Sequence, residues 1–221
     1  SAADAEITAK LMNIVDDEYL RLKSKTYFKN ILNNQLKYDK SLFEIIPINS
    51  LDQHEFMKTL SKMQLEREIL FIISSFPINT SIKHFSMHDV ISMSVLDELQ
   101  EIIDVKTTLV RLPMVLKENI QNLDGEKLYE DVHEYINNVL QKTNTKLGDS
   151  NVIGLILHLA FMISRLKDHK ITLNHPNKPE VITSNKKLYK IIKKEFFFLG
   201  EKYDISLSDH EICYLIEYFK E

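Results

Sequence analysis

Cysteine is almost missing from this chain of 221 residues, which holds one, Cys213. A disulfide framework and a cysteine-based zinc site within the chain are therefore excluded, as expected for a reducing, cytoplasmic setting. Glycine is nearly as scarce. Gly125, Gly148, Gly154 and Gly200 are the full set, and the first 124 residues have none. A phosphate-cradling loop needs glycine for tight turning and close backbone approach, so neither a Walker A loop nor a dinucleotide fingerprint exists there. Most nucleotide-dependent enzymes fall with it. Long apolar runs are missing too. The longest, Val152–Ile163, is interrupted by His158 and closed by Arg165, too short and too polar for a membrane span. No signal peptide is visible. There is no basic excess: the net charge is −4, where a self-sufficient DNA-binding domain would show a basic stripe. What remains is 44% hydrophobic and 27% charged, enough apolar content to fold rather than stay disordered.

Periodicity divides the chain. In the first half, Ile7–Val15 reads as a strand and Asp16–Leu36 as a helix with acidic residues in its first turn. Ser41–Ile48 is a β-rich run, and Ser50 with Gln53 has capping-box spacing for a helix through about Glu66. Glu68–Phe76 is apolar enough for a buried parallel strand, Ile82–Phe85 predicts another, and Ser86–Ile103 a helix. Such alternation implies a small open parallel sheet with covering helices over residues 1–104. From about Asp104 the strand signals stop. Val105–Gln121 includes Pro113 and reads as a connector with one or two helical turns on either side. Lys127–Lys142 carries an apolar stripe. Asp149 can cap a helix to about Lys167, apolar nearly all round and so central. Thr172–Pro179 reads as loop, Thr183–Leu199 as a helix stopped by Gly200, and Ser208 with Glu211 as a cap for a last helix through Phe219. Residues 105–221 are thus expected to form an all-α bundle.

On the central helix, His158 lies four residues after Gly154 and seven before Arg165, which places all three on one face. Spacing alone leaves two readings. One is a core histidine bonded to a backbone carbonyl, with Gly154 serving helix packing. The other is a phosphoryl acceptor: Gly154 leaves a bare patch for a partner to approach, and Arg165 supplies a fixed cation for the phosphate.

Residues 148–167, GDSNVIGLILHLAFMISRLK, resemble the hallmark of the PTS regulation domain. In that family an apolar helix carries the phosphoacceptor in His-Leu/Ile-Ala, followed by Arg-Leu; here these are His158-Leu159-Ala160 and Arg165-Leu166. Ser208–Phe219, SDHEICYLIEYF, is similar to the family's last helix, and the resemblance covers about residues 105–221. It departs from the antiterminator branch, which carries a second histidine on that helix where this chain has Tyr218. The pattern looks instead like the C-terminal regulation domain of levanase-type, sigma-54-dependent activators. Residues 44–49, 68–77 and 82–92 resemble the enzyme-IIB-like domain before it, degenerate here because Met12–Tyr19 has no cysteine or glycine and places Asp16, Asp17 and Glu18 where a phosphoryl group would bind.

The resemblance implies a non-enzymatic regulatory fragment of a cytoplasmic bacterial transcription regulator of sugar utilisation. His158 would be phosphorylated by phosphocarrier or enzyme IIB proteins of the phosphotransferase system. Relatives pair, so a homodimer is expected. No cofactor, no metal, no direct nucleic-acid binding by this fragment and no membrane are implied. The alternative is a structural oligomerisation module with an unphosphorylated His158. Elsewhere, His84 and His88 have metal-ligand spacing, but Ser86 as a helix start would split them. His169, His175 and His210 read as surface groups and Cys213 as buried. The Phe196–Phe198 run cannot place three rings on one helix face, so one must meet the edge of the core.

Overall fold

The computed structural model describes residues 18–48, 52–170 and 174–220. The chain divides into two compact units, Ser1–Asp104 and Val105–Glu221. The predicted strand Ile7–Val15 lies outside the described residues, as does Ser50.

The first unit opens with α1 (Glu18–Gln35) and α2 (Gln53–Glu66). Asp52, not Ser50, caps α2: its backbone is extended and its carboxylate accepts the Glu55 N–H at 2.8 Å. Phe56 and Leu60, one turn apart, then bury against Ile72. The run Ser41–Ile48 is not a strand. Asp39 diverts it: its carboxylate accepts from the Ser41 backbone and hydroxyl at 2.9 and 2.6 Å, and its carbonyl accepts from Leu42 and Phe43. Two short strands do form, β1 (Phe71–Ser74) and β2 (Lys83–Ser86), paired in parallel from Phe71 opposite Lys83 to Ser74 opposite Ser86. A parallel partner usually needs a helical crossover. Strands of four residues need a return of only roughly 13 Å, which the loop 75–82 spans without one.

Ser86–Ile103 is two helices rather than one, α3 (Met87–Ile91) and the start of α4 (Leu96–Asn119). Ser86 caps α3 as its position predicts, accepting the Asp89 N–H at 3.1 Å. The break follows because the Ser92 and Ser94 hydroxyls both donate to the Asp89 carbonyl at 3.1 Å, and Met93 takes a left-handed φ of 61°. Continuity of α4 through Pro113 corrects the expected connector. One missing N–H is tolerated where the flanking Leu112 and Leu116 are fully buried.

The second unit is helical: α5 (Gly125–Thr143), α6 (Asp149–Lys167), α7 (Lys178–Ser184), α8 (Lys186–Glu195), α9 (Phe197–Tyr203) and α10 (Asp209–Lys220). Asp124 caps α5 by accepting from Glu126 and Lys127, and Asn144 ends it in a left-handed conformation at φ 54°. The stripe Leu128, Val132, Tyr135, Ile136 and Val139 is buried. Asp149 is the first residue of α6 and not its cap, a position held by Gly148. Gly200 does not stop the predicted Thr183–Leu199 helix. Asn185 and Phe196 divide it, Gly200 sits within α9, and Asp204 at φ 53° makes the stop. Phe196 is buried, Phe198 partly so, and Phe197 is 69% exposed. Among the described residues α6 is long and apolar enough to cross a membrane by composition. Its Leu155, Ile156, Leu159, Ala160, Met162 and Ile163 are all fully buried in the bundle.

Candidate functional site

The face of α6 bearing Gly154, His158 and Arg165 meets α10, which presents Glu211, Tyr214 and Tyr218 on one face of its own. The His158 ring lies between the two tyrosines, with centroids 6.3 Å from Tyr214 and 5.1 Å from Tyr218. Gly154 is met by Tyr218 rather than by open space: a Cβ there would stand 3.3 Å from Tyr218 Cε1. What this glycine provides is a seat for the aromatic ring one turn before the histidine.

Arg165 donates from Nη2 to Glu211 Oε1 at 2.5 Å. The Glu211 side chain is 1% exposed and that of Arg165 27%, so the pair points from the core toward the surface. Ser208 caps α10 through the Glu211 N–H at 3.3 Å, as its spacing predicts. The reciprocal arm of a capping box is replaced, because the Glu211 side chain turns to Arg165. A carboxylate in the first turn also suits the helix dipole.

Three buried side-chain atoms of this group have no hydrogen-bond partner: His158 Nε2, Arg165 Nε and Glu211 Oε2. Buried polar atoms normally find partners, so three within one contact group mark a site with unspent bonding capacity. Burial, with the positive Arg165 behind it, holds the His158 imidazole below its ordinary pKa. The lowered pKa favours the neutral ring at neutral pH, and its unbonded Nε2 is itself buried.

A second layer comes from the loop before α7. His175, expected at the surface, is buried at 5% exposure. Its Nδ1 accepts the Asn177 N–H at 3.2 Å, which leaves Nε2 to donate to Glu217 Oε1 at 2.9 Å. Its own N–H donates to His210 Nδ1 at 3.0 Å, and its ring stands edge-on to Tyr214 at 4.7 Å. Tyr214 thus touches both imidazoles, and its hydroxyl donates to the Asn174 carbonyl at 3.2 Å. Sequence reasoning missed Glu211, Tyr214 and His175 as members of this group. The i, i+3, i+7 spacing of Glu211, Tyr214 and Tyr218, which places them on one helix face, was the available signal for the first two.

The other candidates do not assemble. His84 bonds Ser74 Oγ at 2.7 Å between the paired strands while His88 lies on α3, and no group of three or more metal-ligating side chains occurs among the described residues. Cys213 is fully buried, and burial pushes its thiol pKa up. Met12–Tyr19 falls almost wholly outside the described residues.

Residues 133–221 match the PRD domain. No curated protein and no solved structure matches the chain. The match begins within α5 and includes all of α6 and α10, so it contains every member of the His158 group. A PRD is a regulatory domain and not a catalytic one.

Proposed function

We propose that the helical unit is the phosphorylation-controlled regulatory domain of a cytoplasmic bacterial transcription regulator of sugar utilisation, with His158 as its phosphoryl acceptor. The observation that carries this reading is the His158 imidazole itself: neutral, with an unbonded ring nitrogen, and close enough to Arg165 for its charge to act on the ring. A donor protein of the phosphotransferase system carries its phosphoryl group on a histidine or cysteine. The lone pair of a His158 nitrogen attacks phosphorus, and the donor's P–N or P–S bond breaks with its electron pair returning to the donor. The second ring nitrogen of His158 keeps or releases its proton to solvent. The product adds about 1.5 to 2 negative charges, for which Arg165 is the nearby cation.

Several finer points belong to the same reading. Tyr218, standing where the antiterminator branch has a second histidine, cannot accept histidine-type transfer, so control rests on one site, as in levanase-type sigma-54-dependent activators. Residues 1–104 are a degenerate enzyme-IIB-like domain without phosphotransfer. The unit forms a homodimer, for which the exposed Phe161 and Phe197 supply apolar surface.

Incubation of the full chain with phosphoenolpyruvate and the general phosphotransferase proteins, then mass spectrometry, tests the acceptor. An acid-labile, alkali-stable phosphate on His158 that is lost in His158→Ala is expected. Labelling that survives this substitution, or no labelling with any phosphocarrier or enzyme IIB donor, sinks the proposal in favour of a structural oligomerisation module.

A further inference from the structure

The cation intended for the phosphate is already engaged. Arg165 holds Glu211 at 2.5 Å, and Glu211 is the fully buried carboxylate of α10. A guanidinium divided between two anions binds each less strongly than it would bind one alone. A doubly charged phosphate on His158 is the stronger competitor, since hydrogen bonds between ions strengthen with charge and Arg–phosphate pairs form readily in bidentate geometry. Arg165 Nε, buried and unpartnered, is a donor not needed by Glu211 and so free for that second bond.

We infer that Glu211 is the residue that reads the state of His158: phosphate takes Arg165 away, and the abandoned buried carboxylate forces α10 off α6. This rests on the reading of His158 as the acceptor and adds how the signal leaves it. The exchange involves no bond breaking, only transfer of hydrogen bonds from one anion to another. Its consequence follows from burial. A carboxylate with almost no exposure, deprived of its counter-ion and facing a new anion, is costly to keep in place. Glu211 carries no charged partner other than Arg165 among the described residues, and Oε2 has no hydrogen bond to fall back on. The relief available is movement of α10 that lets water reach the carboxylate. Tyr214 and Tyr218 ride on the same helix, so the displacement also unseats the rings flanking His158 and the contact with His175.

The decisive experiment is amide hydrogen exchange of residues 209–220 in the full chain, using a fixed negative charge at 158 so that no phosphoryl donor is needed. His158→Glu should accelerate exchange across α10 by about tenfold, within the usual range of coupling between sites. In His158→Glu/Glu211→Gln the acceleration, measured against Glu211→Gln alone, should be abolished, because a neutral amide has no reason to leave. Unchanged exchange in His158→Glu, or the same acceleration with either residue at 211, overturns the inference. A second arm needs no substitution and so does not depend on a variant folding. The Arg165 guanidinium NMR signal should shift when wild-type protein carries phosphate on His158, and an unmoved signal at verified occupancy also overturns it. Absence of phosphate on His158 would sink the acceptor assignment, while the His158→Glu arm would still decide the exchange.

Discussion

The two units bury their apolar side chains in different patterns. The first has two small clusters, one around Leu32, Val90 and Leu99 and the other around Phe56, Leu60 and Ile72. The second has one contiguous core that runs from Leu112 to Phe219 and takes residues from α4, α5, α6, α8, α9 and α10. A histidine kept neutral and a carboxylate kept dry need walls that do not yield, and among the described residues the single core of the second unit supplies them. The difference teaches where control can reside: a frame packed this densely transmits a local charge change as helix displacement instead of absorbing it.

Truncating a core leucine in each unit should give the largest effects and tests the contrast directly. Leu159→Ala, at the centre of the single core and fully buried, is expected to cost about 3–5 kcal/mol by urea unfolding, the upper part of the range for such truncations. Leu60→Ala, in a cluster of three buried side chains, should cost about 2–3 kcal/mol, because a thin core collapses more easily around the void. Equal losses would mean that the first unit is as tightly framed as the second.

A middle-sized effect is expected from the glycines of the helical unit, which differ in what surrounds them. A Cβ on Gly125 would run into the backbone of Leu116 and Lys117, where nothing can rotate away. Gly125→Ala should therefore cost about 1–3 kcal/mol through a forced shift of α5. Gly148 has no atom within 4 Å of a Cβ and a φ of −68°, so Gly148→Ala should change stability by no more than about 0.5 kcal/mol. Matching losses at the two positions would mean that α4 and α5 do not approach as closely as described.

Legibility in the sequence followed the same division. In the second unit α5, α6 and α10 could be placed because their apolar stripes are long, Leu128 to Val139 alone defining the buried face of α5. The expected Thr183–Leu199 helix, by contrast, divides at Asn185 and Phe196. In the first unit, short segments were decided by side chains that compete with the backbone. Asp39 turned the β-rich run at 41–48 into irregular chain, and Ser92 with Ser94 broke a helix whose apolar pattern continues through them. His158 and Arg165 were legible because they share one helix. Their partners were not: Glu211 and Tyr214 lie on another helix, and His175 on a loop whose polar composition reads as surface. A buried carboxylate leaves no mark in a sequence except a charge at a core position, and Glu211 was also readable as a cap residue.

The smallest expected effect concerns acid, and it asks whether the His158 ring is as enclosed as its neighbours imply. In the unfolded chain an imidazole titrates near about 6.5. In the folded unit, burial between Tyr214 and Tyr218, with Arg165 behind, holds the pKa lower. As pH falls through about 6.5, the unfolded chain takes up a proton at this position and the folded chain does not. Stability must therefore decline on acidification, from about that pH down to the lowered folded pKa, and must be unaffected by this group at higher pH. The contribution of His158 is isolated by difference. Urea midpoints of wild type and His158→Gln, measured from pH 8 to pH 5.5, should run parallel above about pH 7 and then diverge, with wild type falling faster. Parallel curves throughout would mean that the ring is solvated and charged as readily folded as unfolded. In that case the face of α6 opposite α10 would be no better insulated than the small clusters of the first unit.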